Sequence, residues 1–219
     1  MLNPFLAKPL DLHADLTGKV VIVTGGTGGI GKAAAYQLSE WNAARVIIGC
    51  RNEQKGNAVV AEIKNGTGRG NIEAWPLELA DLESVRAFAK RFKECGAGRL
   101  DLLLNNAGLV KNTFKKTKDG FEIMFQVNFL SHFLLTNLLL DELKATPGAR
   151  VVHTSSGMAN SAGKIDLGNL NGEKGFSTAR FYGNSKLLQI IYSNELNRRL
   201  ETTGFIGCES NLNHLPFSY

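Results

Sequence analysis

Lys19-Val20-Val21-Ile22-Val23-Thr24 runs directly into Gly25-Gly26-Thr27-Gly28-Gly29-Ile30-Gly31, and the reading of this one stretch decides the fold. Its first half is a short, continuous apolar run closed by a turn signal, the pattern of a strand buried on both faces. Its second half is a glycine-rich turn that opens the helical pattern of Gly29 to Trp41. Strand, glycine turn and helix in that order begin a βαβ unit. Glycine carries no Cβ, so backbone can approach a ligand closely here. The helix start adds unpaired N–H groups and the positive end of the peptide dipole, which suits the turn to a pyrophosphate.

The alternation continues outward from this stretch. Arg45 to Cys50, Ile72 to Leu77, Leu100 to Asn105 and Arg150 to Ser155 are predicted strands. Asn52 to Lys64, Leu82 to Cys95, Phe121 to Leu143 and Tyr182 to Leu200 are predicted helices, with Asn52 and Asp81 as candidate N-caps. This order predicts an α/β protein: a three-layer Rossmann fold with a doubly wound parallel sheet. Ligands bind beyond the carboxyl ends of such strands. The glycine turn, Arg51, Asp81, Asn105 to Gly108 and Ser156 all fall at that edge.

Bulk properties narrow the function classes. A chain of 219 residues, 43% hydrophobic and 21% charged, suits one soluble domain with a sizeable core. The net charge of +5 is not gathered into an aromatic-interleaved basic stripe, which argues against nucleic acid as a partner. The densest basic stretch, Lys111 to Lys118, ends at Asp119 and reads as a solvated loop. Cys50, Cys95 and Cys208 are far apart and form no CxxC pair, so neither a disulfide framework nor a metal site is expected, and a reducing, cytoplasmic setting fits. His132 and His153 lie within apolar patterns and read as packing or polar-satisfied residues. Residues 1–17 lack the apolar core of a signal peptide and read as an N-terminal extension. The most apolar stretch, Phe125 to Leu143, is interrupted by Gln126, Asn128, His132 and Asp141, so a buried or interface helix is expected, with no membrane span.

Three motifs stand in order, each in a fitting element. Thr24 to Gly31 has the spacing TGxxxGxG, Asn105-Asn106-Ala107-Gly108 follows the fourth strand, and Tyr182 and Lys186 share a helix face. Together they resemble the short-chain dehydrogenase/reductase family over Leu16 to Gly204. The wording around them, and the long gap from Ser156 to Tyr182, resemble its retinol-dehydrogenase-like branch. The resemblance implies a nicotinamide cofactor held by Gly25, Thr27, Gly29, Ile30, Gly31, Asn106, Ala107 and Gly108. It implies that Asp81 contacts the adenine amino group, that Leu82 lines the adenine pocket, and that Tyr182 and Lys186 also touch the cofactor. Cys50 sits where NAD-preferring members carry Asp, and Arg51 follows; a guanidinium fork matches the extra phosphate of NADP, so NADP is the expected cofactor.

The same resemblance implies a catalytic set of Asn128, Ser156, Tyr182 and Lys186. An ammonium beside a phenol stabilises the phenolate, which fits Tyr182 as general acid or base. Ser156, closing the Ser155-Ser156 pair, would hydrogen-bond the oxygen of a small carbonyl or alcohol substrate. Asn128 would bond backbone and help hold a water leading to the lysine. Pairing into a homodimer or homotetramer through the helices carrying Asn128 and Tyr182 is implied too. Phe129, Phe133, Leu134, Leu138 and Leu139 suit that contact and suit a core equally.

After Gly204 the family pattern departs. Phe205 to Cys208 can begin a sixth strand, but residues 205–219 hold no Pro-Gly step and too little chain for two strands and a substrate loop. The expectation is an NADP-binding domain over 18–204 with an atypical tail over 205–219, lacking most of the last strands. Two functions then compete: an NADP-dependent oxidoreductase transferring hydride to or from a carbonyl or alcohol, and a catalytically impaired nucleotide-binding or interaction protein derived from one.

Overall fold

In the computed structural model, which describes residues 14–95, 98–200 and the backbone of 208–211, β1 (Val20–Thr24) is buried at every position. It lies at the centre of a six-stranded sheet of order β3-β2-β1-β4-β5-β6. The other strands are β2 (Arg45–Cys50), β3 (Ile72–Pro76), β4 (Leu102–Asn105), β5 (Arg150–Thr154) and β6 (Cys208–Asn211). All pairings are parallel, and Val21 faces Val46 on one side and Leu102 on the other. The order reverses between β1 and β4, which opens a crevice at their carboxyl ends.

Helices α1 (Gly29–Glu40) and α2 (Glu53–Thr67) cover one face, and α3 (Leu82–Glu94), α4 (Ser131–Leu138), α5 (Leu140–Lys144) and α6 (Thr178–Leu200) belong to the other. Strand alternation builds both cores. Val21, Val23, Val46 and Ile48 pack with Ala35, Leu38, Val59 and Ile63, while Ile22, Ile47 and Leu103 pack with Phe88, Phe92, Leu135 and Leu196. Asn52 caps α2 by accepting the Lys55 amide at 2.8 Å, as expected, and Gly68 closes it at φ 68°. No helix among the described residues is long and apolar enough to cross a membrane.

One expectation changes. The predicted helix Phe121 to Leu143 is not continuous: Phe125–Leu130 is π-helical, α4 follows, and Leu139 breaks the run before α5. Wide π turns concentrate at functional sites, and this one holds Asn128. A sixth strand is present at Cys208–Asn211, and the remainder of its expected start, 205–207, lies outside the described residues. Val151 pairs with Cys208 and Thr154 with Asn211, so β5 has a neighbour on the side away from β4. The N-terminal extension lies outside the described residues up to position 13, as do 201–204 at the end of the expected domain and 205–207 and 212–219 of the tail.

Candidate active site

The glycine turn presses against the turn after β4. Gly25 stands at φ +68°, and a Cβ there would lie 2.9 Å from the Ala107 Cα. A Cβ at Gly31 would lie 2.5 Å from both the Gly25 carbonyl oxygen and Asn106 Nδ2, whereas at Gly28 or Gly29 it would meet nothing within 4 Å. Gly28 caps α1 with no side-chain bond, so the helix start is bare and open. Thr24 Oγ1 accepts the amides of Asn106 and Ala107, both at 3.0 Å, and Asn106 Nδ2 donates to the Thr24 carbonyl at 3.1 Å. Gly31→Ala drives a methyl group into the Gly25 backbone carbonyl as well as the Asn106 side chain. The expected cost is about 1–3 kcal/mol, read as a lowered urea midpoint; an unchanged midpoint would show that the two turns are not packed as described.

This junction borders a cavity of about 370 Å³ at the carboxyl edge of the sheet. Gly25, Thr27, Cys50, Arg51, Ala107 and Gly108 are among its walls. Among the described residues Arg51 has no ion-pair partner, so its guanidinium is available to a ligand. Gly29, Ile30 and Gly31 lie at the α1 start beside the cavity rather than on its wall.

Gly108 carries the cavity to the predicted catalytic set. A Cβ built on it would sit 3.3 Å from Lys186 Nζ and 3.4 Å from Asn128 Oδ1. Lys186 is 3% exposed and donates from Nζ to the Thr154 carbonyl at 2.8 Å. Burial pushes its ammonium down to about 8. The same Nζ lies 5.8 Å from the centre of the half-buried Tyr182 ring, one helical turn away. Asn128 clamps the segment after Gly108: Oδ1 accepts the Leu109 amide at 2.8 Å, and Nδ2 donates to the Leu109 carbonyl and to Ser185 Oγ, both at 3.0 Å.

The two serines divide their work. Ser155 Oγ donates to the Lys186 carbonyl at 2.9 Å and so ties β5 to α6. Ser156 accepts the Met158 amide at 3.2 Å, which leaves its O–H to donate elsewhere.

The short chain dehydrogenase profile matches residues 19–206. The chain belongs to that family. Within it the chain is retinol-dehydrogenase-like: it is 44% identical to mouse retinol dehydrogenase 12 over 192 residues, covering 88% of this chain and 60% of the relative. It is also 44% identical to human retinol dehydrogenase 11 over 189 residues, covering 86% and 58%. The chain thus spans about 60% of the length of these curated relatives. A crystal structure of a Mycobacterium paratuberculosis protein superposes with a TM-score of 0.76 at 35% identity, covering 93% of this chain and 68% of that one. A short chain dehydrogenase from Burkholderia cenocepacia, solved in complex with NADP, superposes with a TM-score of 0.69 at 29% identity, covering 90% and 74%.

The structure places the two residues expected at the adenine end, Asp81 and Leu82, at the start of α3. Asp81 does not line the cavity, and neither does Leu82. Asp81 Oδ1 caps α3 by accepting the amides of Glu83 and Ser84, and Oδ2 pairs with Lys118 at 2.6 Å. The Lys118 hydrogen bond holds its carboxyl below the usual range. Glu78 and Leu79 line the cavity instead. The sequence reading missed Glu78, which lies in the same short connection between β3 and α3 as Asp81. Lys115 was missed as well. It lines the cavity, while its neighbours Lys116 and Lys118 pair with Glu173 and Asp81, so the stretch read as a solvated loop is partly anchored.

Proposed function

We propose that this chain acts as an NADP-dependent oxidoreductase that moves a hydride between the nicotinamide and a carbonyl or alcohol. The observation that carries the reading is the closeness of Gly108 to Lys186 Nζ, which joins a glycine-walled cavity to the Tyr182–Lys186 pair. Cofactor fit rests on the bare α1 start, the glycine walls and the free Arg51. The amides near Gly29, Ile30 and Gly31, with Gly25 and Thr27, take the pyrophosphate. Arg51 takes the additional phosphate, Glu78 and Leu79 face the adenine end, and Asn106, Ala107 and Gly108 run along the nicotinamide side. NADP, when bound, supplies or accepts the hydride; the protein supplies orientation and handles the proton.

Tyr182 donates that proton to the substrate oxygen in reduction and removes it in oxidation. The Lys186 ammonium stabilises the phenolate and holds the nicotinamide ribose. Ser156 directs its O–H to the substrate oxygen and stabilises charge developing there. Asn128 positions the Leu109 segment rather than touching substrate, through the bonds given above. The intact set Asn128, Ser156, Tyr182 and Lys186 favours turnover over a purely nucleotide-binding role.

NADPH consumption with a panel of aldehydes and ketones tests the reading. Turnover with at least one carbonyl is expected; an NADPH-bound chain inert toward the whole panel would contradict it. Arg51→Asp removes the phosphate fork and adds repulsion. It should lower the NADPH-to-NADH affinity ratio by about tenfold or more, since hydrogen bonds to charged groups contribute that much. An unchanged ratio would remove Arg51 from the site.

A further inference from the structure

A fully buried histidine, His132 on α4, lies between the cofactor side and the catalytic side of this site. Its Nε2 is 2.9 Å from Thr24 Oγ1 and its Nδ1 is 3.1 Å from the Asn128 carbonyl oxygen. A hydroxyl has one proton and two lone pairs. Both lone pairs of Thr24 Oγ1 are taken by the Asn106 and Ala107 amides. Its proton therefore goes to a third partner. The Leu104 carbonyl at 3.5 Å is at the limit of a hydrogen bond, and His132 Nε2 is well inside it. So Nε2 accepts, the ring proton sits on Nδ1, and Nδ1–H donates to the Asn128 carbonyl.

That carbonyl receives a second donor, Gln189 Nε2 at 2.7 Å. Gln189 stands three residues after Lys186 on α6, the helix that also carries Tyr182. One chain of bonds thus runs from the Asn106–Ala107 turn through Thr24, His132 and the Asn128 carbonyl to the catalytic helix. Imidazole suits this place because it offers an acceptor and a donor on opposite edges of a small rigid ring. Burial lowers its basicity to about 4, with the Lys186 charge acting in the same direction, so the ring stays neutral and keeps both roles.

We propose that His132 is a positioning residue: as the neutral Nδ1–H tautomer it ties the cofactor-side turn to the Asn128 carbonyl and through it to α6, so that cofactor seating and the placement of Tyr182 and Lys186 are coupled. The kinetic consequence rests on the function proposed above; the structural claim does not.

Nitrogen-15 resonances of the imidazole in the full chain read the tautomer directly. Protonated Nδ1 and bare Nε2, unchanged down to about pH 5, are expected for a buried neutral histidine; protonated Nε2, or a charged ring at that pH, overturns the proposal. His132→Phe keeps a ring and removes both bonds. It should speed hydrogen exchange of the Asn106 and Ala107 amides and weaken NADPH binding by about tenfold. His132→Gln, which can still accept from Thr24 but has too short a reach to serve Asn128 as well, should regain NADPH affinity and protection while kcat stays depressed. Wild-type exchange at both amides in a folded His132→Phe chain also overturns it. The tautomer and exchange readouts need no cofactor. A wild type that binds no NADPH would therefore sink the oxidoreductase reading and leave this one to be decided on its own data.

Discussion

Tyr182→Phe is expected to lower carbonyl reduction by about 10²- to 10⁴-fold, the usual worth of a positioned general acid. The change deletes one oxygen. The ring remains, half-buried and packed on the core that includes Phe181 and Tyr192, so the fold is expected to tolerate it. Lys186 keeps its bond to the Thr154 carbonyl, and the glycine walls and Arg51 are untouched. NADPH affinity should then stay within about twofold, because an interaction made in the transition state is lost and ground-state binding is not. Stopped-flow NADPH consumption reads the first quantity and calorimetry the second. A rate loss below about tenfold would mean that the proton comes from another group.

Lys186→Met has two large effects of opposite kind. Turnover should fall by about a hundredfold or more, since the cation that supports the phenolate is gone. Stability should move the other way with pH. The folded-state value of about 8 lies below the ordinary 10.5, because burial disfavours the ammonium. Between those values the unfolded chain binds the extra proton and the folded chain does not, so wild-type stability rises as pH rises through that window. Below it, the buried charge is a standing cost. The methionine variant has no such group, so the wild-type-minus-variant stability difference should grow by roughly 3 kcal/mol from neutral pH to beyond the upper value. The variant loses the Thr154 carbonyl's donor, but that loss is independent of pH and shifts the curve without changing its slope. Urea unfolding across the range measures the difference; a flat line would mean that Lys186 is solvated in the folded state.

The central architecture was legible because it rests on short-range signals. Val20 to Val23 is continuously apolar, the strand is buried through Thr24, and the strand–glycine–helix order appears where the glycines stand. Tyr182 and Lys186 share a face through helical periodicity alone. What was not legible depends on tertiary context. Cys208–Asn211 contains no β-branched or aromatic residue, so its strand is set by pairing with β5 rather than by propensity. The π-helical segment at Phe125–Leu130 carries neither Gly nor Pro; bonds from Asn128 to Leu109 and Ser185 accompany the widened turn. The N-cap at Asp81 was expected, but that Glu78 lines the cavity depends on the loop path after Pro76. His132 was read as a satisfied buried histidine; its partners at Thr24 and Asn128 give that bland description a place in the site.

Titration calorimetry of the purified 219-residue chain with NADPH, and with NADH alongside, tests the central claim most directly. Saturable NADPH binding, with NADH weaker by about tenfold or more, is the predicted result, because Arg51 meets the additional phosphate and Cys50, at the end of β2, offers no carboxylate to a bare ribose. A folded chain that gives no heat with either nucleotide, or that binds NADH as well as NADPH, would contradict the account.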